Sequence, residues 1–278
     1  MKKLEGVGLG LRREMLSELG DKLPKDVDFW EVAPENWIPL GGKYQKTLSK
    51  FTKVNQFVAH GLSLSIGSPD PLDVNFVKEV KTFLDEHNIL YYSDHLSYCS
   101  GKGHMYDLMP IPFTEEAIHQ VSERVKMVQD IIERPLVLEN VSYYAAPGQE
   151  LTELEFTQGV LNESGCLLLL DVNNVYVNSI NHKYDAVEFL KGMPTNRIVY
   201  GHIAGHYNEA EDLIVDTHGA DVIEPVWKLL EAAYEIHGAF PTLLERDFNI
   251  PPIADLLTEV ERIRNIQRNF VSEAKRSA

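Results

Sequence analysis

Short apolar runs alternate with longer amphipathic segments along the whole chain. Residues 5–11, 28–32, 57–66, 90–93, 136–139, 166–171, 198–202 and 242–245 form the runs, each of strand length. Between them the apolar positions change period. Phe76, Val77, Val80, Phe83 and Leu84 recur as one helix face, predicting a helix over 74–87. A second spans 114–132, with Thr114 as its N-cap and Glu115 and Glu116 in its first turn. Further helices are predicted over 151–162, 185–191, 223–237 and 253–270. Strand–helix alternation throughout predicts a parallel sheet with crossover helices. Eight strands in 278 residues favour one closed (β/α)8 TIM-type barrel, a single domain over 1–278. The open nucleotide-binding sheet is disfavoured. The Gly6, Gly8, Gly10 spacing is not a dinucleotide fingerprint, and no Walker loop is present.

Composition adds three constraints. Hydrophobic residues make up 44% and charged residues 24%, as in an ordinary globular domain. The formal net charge of −16 argues against nonspecific nucleic-acid binding, which needs a basic surface. It suits a solubilising surface, a cationic partner or a cluster of divalent ions. No stretch resembles a signal peptide or a membrane span, and Cys99 and Cys166 make no disulfide framework. A cytoplasmic protein without membrane contact is expected.

The chemistry lies where the strands stop. His60, Glu139, Asp171, His202 and Glu245 each end an apolar run, and His95 follows one by two residues. In a parallel barrel these ends meet at the active face. A carboxylate straight after Leu167–Leu170 is costly to bury without a cation. Asp216 and His218, two residues apart, would share one face of an extended segment and bind one ion together. Asn173 and Asn174 follow Asp171, in what reads as a loop, and either amide oxygen would complete a site. Loop capping for Asp171 and Glu245, and turn formation for the asparagines, are the rival readings. Glu31 and Glu35 are placed to orient a substrate amine or a ligand imidazole, Asp70 and Asp94 to cap or to support ligands, and His206 to contact substrate or a ligand. His104 and His182 sit in loops; His87, His119 and His237 read as packing or surface residues. Mixed imidazole and carboxylate donors suit iron, manganese or zinc without choosing among them.

These motifs resemble one family over nearly the whole chain. They are Gly-Val-Gly-Leu-Gly-Leu-Arg (6–12), Glu-Val-Ala-Pro-Glu-Asn-Trp (31–37), His-Gly-Leu-Ser-Leu-Ser-Ile-Gly (60–67) and Ser-Asp-His-Leu-Ser-Tyr (93–98). Leu-Glu-Asn-Val-Ser-Tyr-Tyr (138–144), Leu-Asp-Val-Asn-Asn-Val-Tyr-Val-Asn (170–178), Gly-His-Ile-Ala-Gly-His (201–206), Asp-Thr-His-Gly (216–219) and Leu-Glu-Arg-Asp (244–247) continue the series. The resemblance is to the DUF692 (UPF0276) family of multinuclear non-heme iron-dependent oxidases, which includes the methanobactin-biosynthesis oxidase. It implies a xylose-isomerase-like barrel with iron as cofactor and O2 as co-substrate. It implies a first ion on His60, His95 and Glu139, where the catalytic residues are expected. A second would share Glu139 and take Asp171, His202 and Glu245. A third would take Asp216, His218 and Asn173 or Asn174. Endonuclease-like relatives carry a His where this chain has Asn174, which weakens one of these places. The implied substrate is a cysteine-containing, ribosomally made precursor peptide, presented with a small leader-binding partner protein. The alternatives are a zinc- or manganese-dependent hydrolase or isomerase on the same barrel, and a non-catalytic metal-binding protein.

Overall fold

The computed structural model describes residues 3–101 and 103–277, with the side chains of His104, Tyr106 and residues 271–277 outside the description. The strands are β1 Val7–Gly10, β2 Phe29–Val32, β3 Gln56–His60, β4 Tyr92–His95, β5 Tyr98–Ser100, β6 His104–Met109, β7 Leu136–Glu139, β8 Leu167–Asp171, β9 Ile198–Ile203, β10 Tyr207–Ala210, β11 Leu213–Val215 and β12 Thr242–Leu244. The helices are α1 Leu16–Leu19, α2 Gly42–Thr52, α3 Val74–Glu86, α4 Glu115–Ile132, α5 Glu153–Ser164, α6 Val172–His182, α7 Ala186–Gly192, α8 Glu224–His237 and α9 Ile253–Ser277. Eight strands close a barrel in the order β1-β12-β9-β8-β7-β4-β3-β2. The pairs with assigned register are parallel. β5 with β6, and β10 with β11, form two antiparallel hairpins outside it. No helix among the described residues is long and apolar enough to cross a membrane.

The chain divides into two compact units, residues 1–31, 54–56 and 170–278 in one, residues 32–53 and 57–169 in the other. In the second unit, α4 starts where the Thr114 hydroxyl accepts the Ala117 N–H at 3.1 Å. It buries Ile118, Val121, Val125, Val128 and Ile132 along one face. Thr152 and Glu155 form a reciprocal capping box on α5, which stops at the left-handed Gly165. In the first unit, β1 carries Gly8, where a Cβ would fall 2.4 Å from the Phe29 ring. The bare strand therefore lets Phe29 lie over it.

Several sequence expectations need correction. β3 stops at His60 rather than at 66, because Gly61 follows and Ser65 takes a left-handed φ of 50°. β4 runs from 92 to 95, two residues later than predicted, which makes His95 part of the strand. Asn173 and Asn174 lie in the first turn of α6, not in a loop. Asp171 is that helix's N-cap, and its Oδ1 accepts the Asn174 N–H at 2.6 Å. The Asp216–His218 segment is not extended, since His218 has φ 48°. Cys99 and Cys166 are both buried free thiols.

Candidate metal centre

In the second unit, register brings three donors together. β3 and β4 pair His60 with Ser93, and β4 and β7 pair His95 with Glu139. Parallel neighbours in register point to the same side. His60 Nε2 lies 3.2 Å from His95 Nε2 and 3.1 Å from Glu139 Oε2, and His95 Nε2 lies 3.4 Å from the same oxygen. The Ser93 hydroxyl gives its one proton to the Ala59 carbonyl at 3.2 Å, so at 2.9 Å it accepts from His60 Nδ1–H. Neutral His60 then presents a lone pair at Nε2. Two such nitrogens facing a carboxylate oxygen need a proton or a cation among them.

The loop after β3 is held by acids. Glu35 Oε1 accepts the Leu62 and Ser63 N–H groups at 2.8 and 2.9 Å. Asp94 accepts from Leu64 N, the Tyr92 hydroxyl and the His95 N–H, so it caps the loop. Gly61 is obligatory here, because a Cβ would sit 2.3 Å from Asp94 Oδ2. Burial, and then the nearby Asp94 charge, push the Glu35 carboxyl up to about 7.

In the first unit, β9 supplies His202 and the residue directly after β12 is Glu245, with His202 Nδ1 2.7 Å from Glu245 Oε2. That oxygen has no aligned hydrogen-bond donor. It also lies 3.2 Å from His218 Nδ1. The other ring nitrogen of His218 is 2.8 Å from Asp216 Oδ1 and 3.8 Å from Asp171 Oδ2. Burial disfavours the His218 imidazolium, but Asp216 and Glu245 outweigh it and hold its pKa well above the usual value. Burial likewise opposes the Glu245 charge, and His202 and His218 overcome it, placing its pKa well below the carboxylate range. Glu31, Asp171 and Glu245 are all buried in this one unit. Buried charge is tolerated only when paired, and the local demand is for cations.

The donor spacing fits a metal. With metal–ligand bonds of about 2.0–2.1 Å, ligand atoms stand about 3.4 Å apart in a tetrahedron and about 3.0 Å apart at an octahedral right angle. The separations of 3.1, 3.2 and 3.4 Å among His60, His95 and Glu139 lie within that range. The model of one protein family matches residues 6–268, and its description is "RiPP precursor modification enzyme MbnB/TglH/ChrH". The chain belongs to this family. It is 65% identical to a UPF0276 protein of Shewanella sediminis, over 98% of each chain. Among solved structures it resembles the IOLI protein with a binding zinc atom, at TM-score 0.61 and 13% identity over 97% of each chain. It also resembles D-psicose 3-epimerase from Clostridium cellulolyticum H10, at TM-score 0.58 and 12% identity, over 96% of this chain and 99% of that one. At such identity these likenesses show the fold alone, a TIM barrel.

In this member of the family, further residues join the donors that sequence singled out. Asp247 Oδ2 lies 3.5 Å from His218 Nδ1, making a fourth carboxylate around that ring, after Asp171, Asp216 and Glu245. Arg12 bonds the Asp247 carboxylate and, at 3.2 Å, Glu245 Oε1. Burial works against the Arg12 charge, yet Asp247 and Glu245 raise its pKa further still. Asp247 had a sequence signal, standing two residues after Glu245; Arg12 had none beyond its place after β1. Asn173 is the asparagine found beside Asp216, donating to its Oδ1 from Nδ2 at 3.0 Å. Its amide oxygen therefore faces His206 Nδ1, 2.7 Å away, and accepts that N–H. His206 is buried against Tyr176, and burial lowers its pKa.

Proposed function

We propose that this RiPP precursor modification enzyme is a multinuclear non-heme iron oxidase that modifies cysteine residues of a ribosomally made peptide with O2. The observation that carries the metal part is the His60–His95–Glu139 triad at ligand spacing. The family membership supports the peptide substrate. Iron would supply the electrons and the Lewis acidity. His60, His95 and Glu139 would hold one ion. Glu139 would be shared with a second ion on Asp171, His202 and Glu245. Asp216 and His218 offer a third place, with Asn173 turned to orient Asp216 and His206.

The chain's own groups would set the conditions for that chemistry. Ser93 keeps His60 Nε2 free of a proton. Arg12 turns Glu245 so that only Oε2 faces the histidines. Glu35, with its carboxyl near neutrality, is able to hold a proton at the loop after β3. The whole chain would act as a single domain in the cytoplasm, with a small partner protein presenting the peptide leader. Buried free thiols are compatible with a reducing compartment.

The test is metal analysis of anaerobically purified protein, followed by O2 uptake with cysteine peptides encoded beside its gene. The expected result is roughly two to three irons per chain and peptide-dependent O2 consumption. Stoichiometric zinc or manganese with no O2 uptake would overturn this reading in favour of a hydrolase or isomerase.

A further inference from the structure

Glu31 on β2 is 1% exposed, and its Oε2 serves two residues of β9. The Tyr200 hydroxyl donates to it at 2.9 Å, and His202 Nε2 lies 3.0 Å away. Tyr200 and His202 are two apart on one strand and so share a face. The approach depends on β1, which stands next to β2 in the barrel order. With no side chain at Gly8, Phe29 lies over the strand and meets the Tyr200 ring edge-on at 6.2 Å. Glu31, two residues further along β2, reaches the same two residues of β9.

A carboxylate oxygen only accepts hydrogen bonds, and Tyr200 already uses its single proton. His202 must therefore present an N–H at Nε2. Its other nitrogen, Nδ1, is the one that faces Glu245 Oε2 at 2.7 Å. We propose that Glu31 is a positioning residue that pins a ring proton of His202 to Nε2 and so commits Nδ1 to the metal. The inference rests on the metal reading above, but not on iron, O2 or the peptide. A carboxylate behind a ligand imidazole both fixes the ring and makes it a better donor, and losing such a partner weakens metal binding about 10- to 100-fold.

The test uses Co(II) and Zn(II) as probes with the full chain. Glu31→Leu should bind Co(II) about 10- to 100-fold more weakly than wild type. Glu31→Gln, which keeps an accepting oxygen, should recover most of that loss. Tyr200→Phe, which disturbs the same buried network but leaves the Glu31–His202 bond, should change affinity less than about threefold. Equal affinity for Glu31→Leu and wild type, or an equal loss in Tyr200→Phe, would overturn the proposal. A direct readout covers a variant that fails to fold. In Zn(II)-loaded wild type, long-range proton–nitrogen spectra should show His202 protonated at Nε2 and metallated at Nδ1. The reverse assignment would sink this inference while leaving the metal reading intact. Failure of wild type to bind either ion would sink both.

Discussion

Arg12 Nη2 holds Glu245 Oε1 at 3.2 Å across 233 residues of sequence, leaving Oε2 to face His202 and His218. The contact joins the loop after β1 to the end of β12, strands whose register pairs Leu9 with Leu244. Removing Arg12 would take the arginine cation from two carboxylates, Glu245 and Asp247, and leave their charge to the neighbouring histidines. Arg12→Met should destabilise the metal-free chain by about 3 kcal/mol. Added Zn(II) should restore part of the loss, read as a rise in melting temperature larger than wild type shows. No destabilisation would mean that the ion pair is not needed to hold these acids.

Glu139 and His218 should differ in what they cost. Glu139→Ala is expected to reduce metal content at two positions, because the residue is proposed as the shared ligand. His218→Ala should reduce it at one. Metal counts per chain by elemental analysis decide this, and equal losses would contradict the assignment.

Asp171 divides its oxygens between two tasks. Oδ1 caps α6 through the Asn174 N–H, and Oδ2 lies 3.8 Å from His218 Nε2. Asp171→Asn should keep the cap and the fold yet lose metal, since asparagine caps helices well but brings no charge. Asp171→Ala should lose metal and also about 1 kcal/mol of cap stability. Thermal melts beside metal analysis separate the two effects. Full metal content in Asp171→Asn would remove Asp171 from the ligand set.

The Glu35 carboxyl gives a pH dependence of definite sign. Its folded pKa, about 7, is raised above the ordinary 4.5. Its contribution to stability is therefore full below about pH 4.5 and is lost as pH rises through about 7. Glu35→Gln keeps the acceptor for Leu62 and Ser63 and removes the charge. The variant should gain on wild type across that window, by at most about 3 kcal/mol at pH 8. Denaturant melts at pH 5 and pH 8 test this, and a difference that shrinks toward pH 8 would refute it.

The donors that sequence exposed were those ending apolar runs. Leu136–Glu139 and the four leucines before Asp171 state their own ends, because a buried strand is a continuous apolar run that a charge interrupts. Elements whose signal is weaker than their neighbours' were missed. α6 opens on Val-Asn-Asn, poor helix formers that read as a turn until Asp171 caps them. The strands of the hairpins β5–β6 and β10–β11 are only three to six residues long, too short to show a period.

By itself the sequence determined the strand–helix alternation, the barrel it implies and most of the candidate donor residues, since periodicity and strand-end chemistry are local properties. Only the tertiary structure decided which atom of each residue does what. Ser93 sets the proton on His60 because β3 and β4 pair in that register. Asn173 turns to Asp216 and His206, and Arg12 to Glu245 and Asp247, because hydrogen-bond partners far apart in sequence are fixed by strand register and loop path. Residue type supplies donors and acceptors; only their arrangement in space settles where each proton sits and which lone pair is left for a cation.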